Sequence, residues 1–469
     1  MNEPLHFDLV AIGGGFAGLC AAVRGAELGL RTAVLEAGPD EGYPCNSRWA
    51  GGIFHVSYHD VKLSPEELLA AINRQTGGEA DQELAAAIAA DAGRTVDWLA
   101  RQGAVFTQAS AIGWHRFTLA PPRAPVAGQD WQGRGPDRLL GALRRRLEER
   151  QGGLLLGTRA ASLRLERGRV VGVTAHRDGA ALNIGAGAVV VADGGFPGNA
   201  ELFRRYIGPR PDRVLMRHAG SAIGDGLKMA AEAGAALVGL DRFYGHLLSR
   251  DAMETKNLWP YPQIDAVATA AIVVDRRGYR ILDEGLGGIS ITNDLARLDD
   301  PLCATVICDA PIWETAGRAA QIPPNPQLLA GGGTVHRADT IEALAEAARL
   351  PPVNLAETVA IYNDAVRFNR LVTLLPERST RSGAPRRIET PPFFAIPICA
   401  GITNTMGGIA IDGHGRVKRP DGSAVAGLYA AGGTTGGLEG GGALGYVGGL
   451  IKACVFGLRV AEHAAGRQD

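Results

Sequence analysis

The sequence predicts an α/β fold: a Rossmann-like parallel sheet drawn from both ends of the chain, with a smaller α+β unit inserted between them. Three observations carry this. An apolar, β-branched run at 7–12 leads straight into Gly13-x-Gly15-x-x-Gly18 and an alanine-rich stretch at 19–28. Glycines return in clusters at 194–198, 220–226, 407–415 and 432–449. Between 241 and 385 the character changes, with proline clusters (Pro323, Pro324, Pro326; Pro351, Pro352) and no glycine fingerprint. The expected division is 1–240 with 386–469 as one unit and 241–385 as the other.

The opening stretch reads as strand, turn and helix. Gly13 permits the tight turn, Gly15 lets backbone approach a pyrophosphate, and Gly18 lets helix pack on strand. The N–H groups at Phe16 and Ala17 then lie at the positive end of a helix, where an anion is favoured. A second strand at 31–35 ends in Glu36, eighteen residues beyond Gly18 and placed to accept from ribose hydroxyls. Ala37 and Gly38 follow it. Strand, glycines, helix, strand and acid in this order predict a dinucleotide site.

The loop at 41–52 follows the acid directly and is expected to fold back over the ligand. Asn46, Ser47 and Arg48 offer donors to phosphate or ring, and Ala50, Gly51 and Gly52 offer flat backbone. Residues 64–102 are helical by period, opened by a Ser64-Pro-Glu-Glu67 start signal. Residues 103–135, rich in Trp, Pro and Arg, read as a lid carrying Trp114, His115, Arg116 and Trp131. A basic amphipathic helix at 138–150 reads as a solvated face. A hairpin around Arg167-Gly168 joins strands at 154–165, which hold Ala160, and 169–175. The buried strand 186–192 ends in Ala192, Asp193 and Gly194, a second approach to the dinucleotide, with Asn199 just beyond and Asp225 opening a helix. Gly331-Gly-Gly333 precedes Thr-Val-His rather than a helix, so it is not read as phosphate-binding. Near the C-terminus Gly432 and Gly433, then Gly448, Gly449 and Leu450, return to the ligand before a terminal helix.

Bulk properties exclude other classes. The 469 residues are 46 % hydrophobic and 21 % charged, with net charge −1, so no basic footprint for nucleic acid exists. Six cysteines show no zinc or haem spacing, and no metal site is expected. No apolar run reaches the ~18–20 residues of a membrane span. Nothing near the N-terminus resembles a signal peptide, and a cytoplasmic location is expected.

Several stretches together resemble the FAD-binding fumarate reductase/succinate dehydrogenase flavoprotein superfamily, in its soluble, ketosteroid dehydrogenase- and tricarballylate dehydrogenase-like branch. They are 13–18 with Glu36, 46–52, 189–196 with Asn199, 224–229, 273–284, 338–344, 391–412 and 427–457. The resemblance implies FAD, held non-covalently, in a Rossmann-like domain with an inserted capping domain, and substrate against the isoalloxazine ring. Cys45 lies about where membrane-bound members carry a flavin-linked histidine. The implied activity is desaturation, or reduction, of a C–C bond beside a carbonyl or carboxylate of a small organic substrate. Electrons would pass to or from an acceptor not identified by the sequence. The alternatives are a fumarate-reductase-like ene reductase and an electron-transfer subunit without its own substrate chemistry.

The chain departs from the best-known members at its chemistry. Gly285 to Ser290 stand where fumarate reductases have an arginine acid, Thr403-Asn404-Thr405 where they have His-His-Thr, and Gly442-Ala443-Leu444 at their arginine clamp. His246 matches the capping-domain histidine. With both arginines missing, fumarate or succinate itself is not expected. The candidates for proton transfer or carbonyl polarisation are His246, Tyr244 and Tyr261. Thr403, Asn404, Thr405 and Tyr446 are expected to orient substrate, and Arg297 to replace the missing clamp.

Overall fold

The computed structural model describes residues 5–124, 126–128 and 130–466. Strand β1 (Leu5–Ile12) is exposed at its outer end and fully buried from Leu9 onward, where it runs into the glycine turn. Helix α1 (Phe16–Glu27) and strand β2 (Thr32–Leu35) complete the expected unit. β1 lies in the middle of a sheet, flanked in parallel by β2 and by the strand Ala180–Val191. Gly153–Leu155 extends one side, and Ala424–Ala430, followed by the antiparallel Arg416–Lys418, extends the other. The sheet is therefore assembled from both ends of the chain. The hairpin at Arg167-Gly168 forms as expected, both residues having positive φ (51° and 77°) between strands Thr158–Glu166 and Arg169–Arg177.

The terminal helix Gly449–Ala464 lies against α1. Gly457 makes that approach possible, since a Cβ there would sit 2.7 Å from the Ala17 carbonyl oxygen. The single helical period read at 64–102 is two helices, Pro65–Thr76 and Gln82–Arg101. Gly77, at φ 64°, ends the first in a left-handed cap, and Asp81 caps the second.

A second sheet is organised by the long strand Phe393–Thr405. Its first half pairs with Thr305–Asp309 and its second half with Phe243–Ser249, both antiparallel. Leu215–Met216 adds a short parallel strand at Gly401 and Ile402. This second sheet thus takes its central strand from the C-terminal segment and an edge from before residue 241, outside the expected 241–385 unit. No helix among the described residues is long and apolar enough to cross a membrane.

Candidate active site

One continuous cavity runs from the glycine turn to the second sheet. At its first end the lining is mostly main chain: Gly13, Gly14, Gly15, Phe16 and Ala17 on one wall, Ala192, Asp193 and Gly194 on another. Gly13 has φ 108°, and a Cβ on it would lie 2.6 Å from the Ala192 carbonyl oxygen, so only glycine makes this turn. Gly18 lies outside the cavity, where a side chain would strike the Gly13 carbonyl; its role is close packing. Glu36 lines the cavity and accepts from the N–H groups of Gly14 and Gly38, both at 2.8 Å. Burial raises its pKa, against the pull of those two amides. Each carboxylate oxygen keeps a lone pair for a ribose hydroxyl. Asp193 is buried, its Oδ2 accepting from Gly226 at 2.7 Å and its Oδ1 without a partner. A dinucleotide fits this donor set: amides and a helix start for the pyrophosphate, carboxylates for hydroxyls.

The remaining cofactor candidates divide. Ala37, Ala50, Gly51, Gly52, Ala160, Asp225, Gly432, Gly433, Gly449 and Leu450 face the same cavity. Ser47 also faces it, with its Oγ accepting from Phe16 N–H at 2.9 Å. Asn46 lines it while joining two later segments, donating to the Thr403 carbonyl (3.1 Å) and accepting from Ala219 N–H (2.9 Å). Arg48 turns away. Its guanidinium pairs with Asp137 at 2.6 Å, donates to the Glu41 carbonyl and lies between the Tyr43 and Trp131 rings, so it does not serve as a phosphate donor. Asn199 is also structural, capping the helix Ala200–Tyr206 and donating to the Ile223 carbonyl. Gly448 packs against the His55 carbonyl, and Gly38 against Tyr43.

Glu439 fixes the start of the terminal helix from behind. Its Oε1 accepts from Val447 and Gly448 N–H, and its Oε2 takes the Lys452 ammonium at 2.6 Å, both side chains being buried.

The other end of the cavity is built from side chains. Tyr244 and His246 sit two apart on one strand and therefore share a face. A bulge at Tyr244/Gly245 sets Tyr244 opposite Asn404 and His246 opposite Gly401. Tyr244 Oη and His246 Nε2 are 3.0 Å apart, and His246 Nδ1 is 3.2 Å from Asp265 Oδ2. Tyr446 stacks on Tyr244 with centroids 3.8 Å apart, while its hydroxyl accepts from Gly449 N–H. Burial pushes the Tyr244 hydroxyl up to about 12, eased by Arg217 and reinforced by Asp265 and Glu439. Tyr58, held at φ 61°, stacks on His55 and closes an aromatic wall with Trp114. Burial pulls His55 down to about 4, so the ring is neutral and its Nδ1 accepts from Tyr58 N–H.

Two arginines outside the motifs of the sequence face this end, Arg123 and Arg217. Arg217 follows the short strand Leu215–Met216, its N–H bonded to the Ile402 carbonyl, and its Nη1 donates to Thr403 Oγ1 at 3.0 Å. Its Nε is buried without a partner. Arg123 comes from the lid stretch, lies over Trp259 and donates to the Trp49 carbonyl. Burial, then repulsion from Arg217 and Arg134, pushes Arg123 down to about 9, still cationic at neutral pH. Among the described residues neither guanidinium has a carboxylate within ion-pair distance. The sequence did hold a signal for Arg217: a lone charge between an apolar run, Val214-Leu-Met216, and the glycine-rich loop at 218–226.

Arg297 does not replace the clamp. Its Nη2 donates to the Asp241 carbonyl at 2.7 Å, and Asp241 and Asp294 lie beside its charge, outside the cavity. Thr403 and Asn404 line the cavity, but Thr405 is fully buried against Gly195 on the opposite side of the strand. Tyr261 packs edge-on against Trp259 and is not part of the wall. Of the lid residues Trp114 lines the cavity, whereas Arg116 pairs with Asp60 and Trp131 covers Arg48.

With this geometry in hand, the model of the FAD binding domain family matches residues 8–446. The chain belongs to that family. Its cofactor is FAD, and the fold and flavoprotein class expected from the sequence stand. An NADH:acrylate oxidoreductase of Vibrio harveyi is 29 % identical over 79 % of this chain, which spans only 36 % of that longer protein. A fumarate reductase (cytochrome) of Shewanella frigidimarina is 26 % identical over 98 % of this chain and 77 % of its own length. The structure of a 3-ketosteroid delta1-dehydrogenase from Sterolibacterium denitrificans superposes over 99 % of this chain and 100 % of that one, with TM-score 0.74 and 20 % identity.

Proposed function

We propose that this chain is an FAD-dependent oxidoreductase that adds or removes two hydrogens across a C–C bond adjacent to a carboxylate. The observation that carries the substrate class is the pair Arg123 and Arg217, two partly buried cations without carboxylate partners among the described residues, facing the cavity that begins at the glycine cradle. A carboxylate there satisfies the free Nε of Arg217 and relieves the repulsion between the two guanidiniums. Fumarate reductase and acrylate oxidoreductase relatives support the reaction class, and make reduction the first direction to assay.

FAD, when bound, supplies a two-electron hydride donor or acceptor at N5. The chain's own residues do the rest. Arg217, steadied by Thr403, holds the carboxylate and draws charge toward it, which acidifies the adjacent carbon. Asn404 and the Tyr446 ring position the carbon skeleton, and Tyr244 stands beside them to exchange the proton. The aromatic wall of Tyr58, Trp114 and His55 keeps water from the reacting centre. The wall also favours a second reading, a cyclic ketone whose flat apolar rings lie against it. We further propose an FAD-binding unit at 1–240 with 386–469 and a capping unit at 241–385 whose sheet is completed by Phe393–Thr405 and Leu215–Met216 from the flanking segments, and a cytoplasmic enzyme.

Anaerobic mixing distinguishes these. FAD-loaded enzyme, reduced with dithionite, is mixed with acrylate, fumarate, cinnamate and an androstenedione; oxidised enzyme is mixed with the saturated counterparts. Rapid flavin reoxidation by an unsaturated acid, or bleaching by a saturated one, is the expected result. Response to the steroid alone overturns the carboxylate in favour of the ketone. No response to any, with fast NADH oxidation in air, overturns the reaction class.

A further inference from the structure

We propose that Asp265 is a positioning residue that sets the tautomer of His246 and so makes Tyr244 a two-way proton carrier at the substrate carbon. The proposal rests on the C–C redox reading above and deepens it. The three groups form one line: Asp265 Oδ2, 3.2 Å, His246 Nδ1; His246 Nε2, 3.0 Å, Tyr244 Oη. They come from two places on the chain, the strand Phe243–Ser249 and the helix start at Asp265. Tyr244 and His246 face the cavity, while Asp265 stands behind them, out of its lining.

A carboxylate accepts only, so the proton between it and the ring sits on Nδ1, leaving Nε2 as an acceptor for the tyrosine O–H. For desaturation the balance is then complete. The substrate C–H proton passes to Tyr244 Oη as the tyrosine's own proton passes to His246 Nε2, and Asp265 stabilises the resulting imidazolium. The hydride from the neighbouring C–H bond would go to FAD, which when bound supplies the two-electron acceptor. For reduction each transfer reverses, and Tyr244 delivers the proton to the carbanion. The arrangement occupies the role vacated at 285–290, where no arginine stands.

The surroundings agree. Tyr446 stacks on Tyr244 and is itself flanked by Tyr58, Arg217 lowers the cost of negative charge on the Tyr244 oxygen, and Asp265 and Glu439 raise it. A free phenolate is thus disfavoured, and a concerted exchange through His246 avoids forming one. Asp265 also packs against Gly288, and Asp265→Asn keeps that shape. Its other oxygen accepts a long 3.4 Å bond from Leu247 N–H, which an asparagine carbonyl keeps.

The test reads the histidine directly. Holoenzyme labelled with nitrogen-15 histidine has ten such residues, and the His246 signal is the one lost in His246→Gln. The expected wild-type spectrum shows a neutral ring protonated on Nδ1; Asp265→Asn shifts it toward the Nε2–H form. A wild-type ring protonated on Nε2, or an unchanged tautomer in Asp265→Asn, overturns the proposal. This measurement uses no substrate and stands apart from the carboxylate reading. With the acid that reoxidises the flavin, Tyr244→Phe lowers kcat by ~10²–10⁴-fold, the usual weight of a proton-transfer group. Asp265→Asn lowers kcat by a smaller factor at unchanged KM, displaces the pH profile, and is rescued in part by Asp265→Glu. A rise in KM alone for Asp265→Asn overturns it.

Discussion

The two ends of the cavity are made of different material. The pyrophosphate end is main chain, amides and glycines whose lack of a side chain is the functional property; the far end is side chains, two arginines, a tyrosine–histidine pair and an aromatic wall. Backbone groups are placed by the turn that carries them, so one short segment suffices. Side chains are placed by whatever packs behind them, so Arg123, Arg217, Tyr244, Asn404 and Tyr446 arrive from separate parts of the chain. The first end recognises a constant cofactor and tolerates little change. The second is expected to hold the substrate, and single substitutions there are expected to leave the fold standing.

The largest effect is expected at the backbone end. Gly13→Ala puts a methyl 2.6 Å from the Ala192 carbonyl oxygen at φ 108°, and the protein is expected to purify without FAD and with a lowered melting temperature. Flavin absorbance per chain checks this; full occupancy would break the contrast. At the other end Arg217→Met keeps FAD but removes a cation from the carboxylate. Losing such a charge partner costs about 2–5 kcal/mol, so KM for the acid rises by more than tenfold at unchanged flavin content. Arg217→Lys recovers only part, lacking the planar fork.

Acid is expected to act first on the substrate end. His55 and His218 are each pulled by burial from an ordinary 6.5 to about 4. Between those values the unfolded chain takes up protons that the folded one refuses, so stability is full above about 6.5 and falls as pH drops toward 4. Each ring contributes up to about 3 kcal/mol to that loss. Melting temperature against pH shows it, and His218→Gln, whose wild-type ring accepts from Gly220 N–H, is expected to flatten the curve. A curve of unchanged slope in this variant would remove His218 from the account.

The smallest effect is expected at Cys45. It lines the cavity, but burial pushes its thiol up to about 11, so the thiolate needed for a flavin linkage is scarce. Acid precipitation is expected to leave the yellow colour in the supernatant, and Cys45→Ser to bind FAD as the parent does. Colour in the pellet would put a covalent bond at the cofactor end.

What could be read beforehand follows the same division. Gly13, Gly15 and Glu36 were legible because their spacing along one βαβ unit is itself the geometry. His246 was legible because it matches the family's capping-domain histidine, and Tyr244 as a polar group beside it; that the two share one strand face came only from the fold. Arg48 misled because a loop next to a phosphate site offers its charge to several partners, and Asp137, seen only once the helix Gly135–Glu149 packs there, takes it. Arg297 misled in the same way, satisfied by Asp241. Thr405 failed at the bulge, where Thr403 is the extra, unpaired residue and simple alternation breaks: Thr403 and Asn404 both line the cavity, while Thr405 is buried against Gly195.

By itself the sequence determined the cofactor and the class of fold, because a glycine turn, a helix start and an acid are local and carry their chemistry within some thirty residues. Only the tertiary structure decided which side chains meet at the far end of the cavity. Arg217 reaches the cavity through the pairing of Leu215–Met216 with the strand Phe393–Thr405, and Asp265 reaches His246 from a helix start packed behind it. Those are contacts between segments far apart in the chain, and no spacing within either segment encodes them.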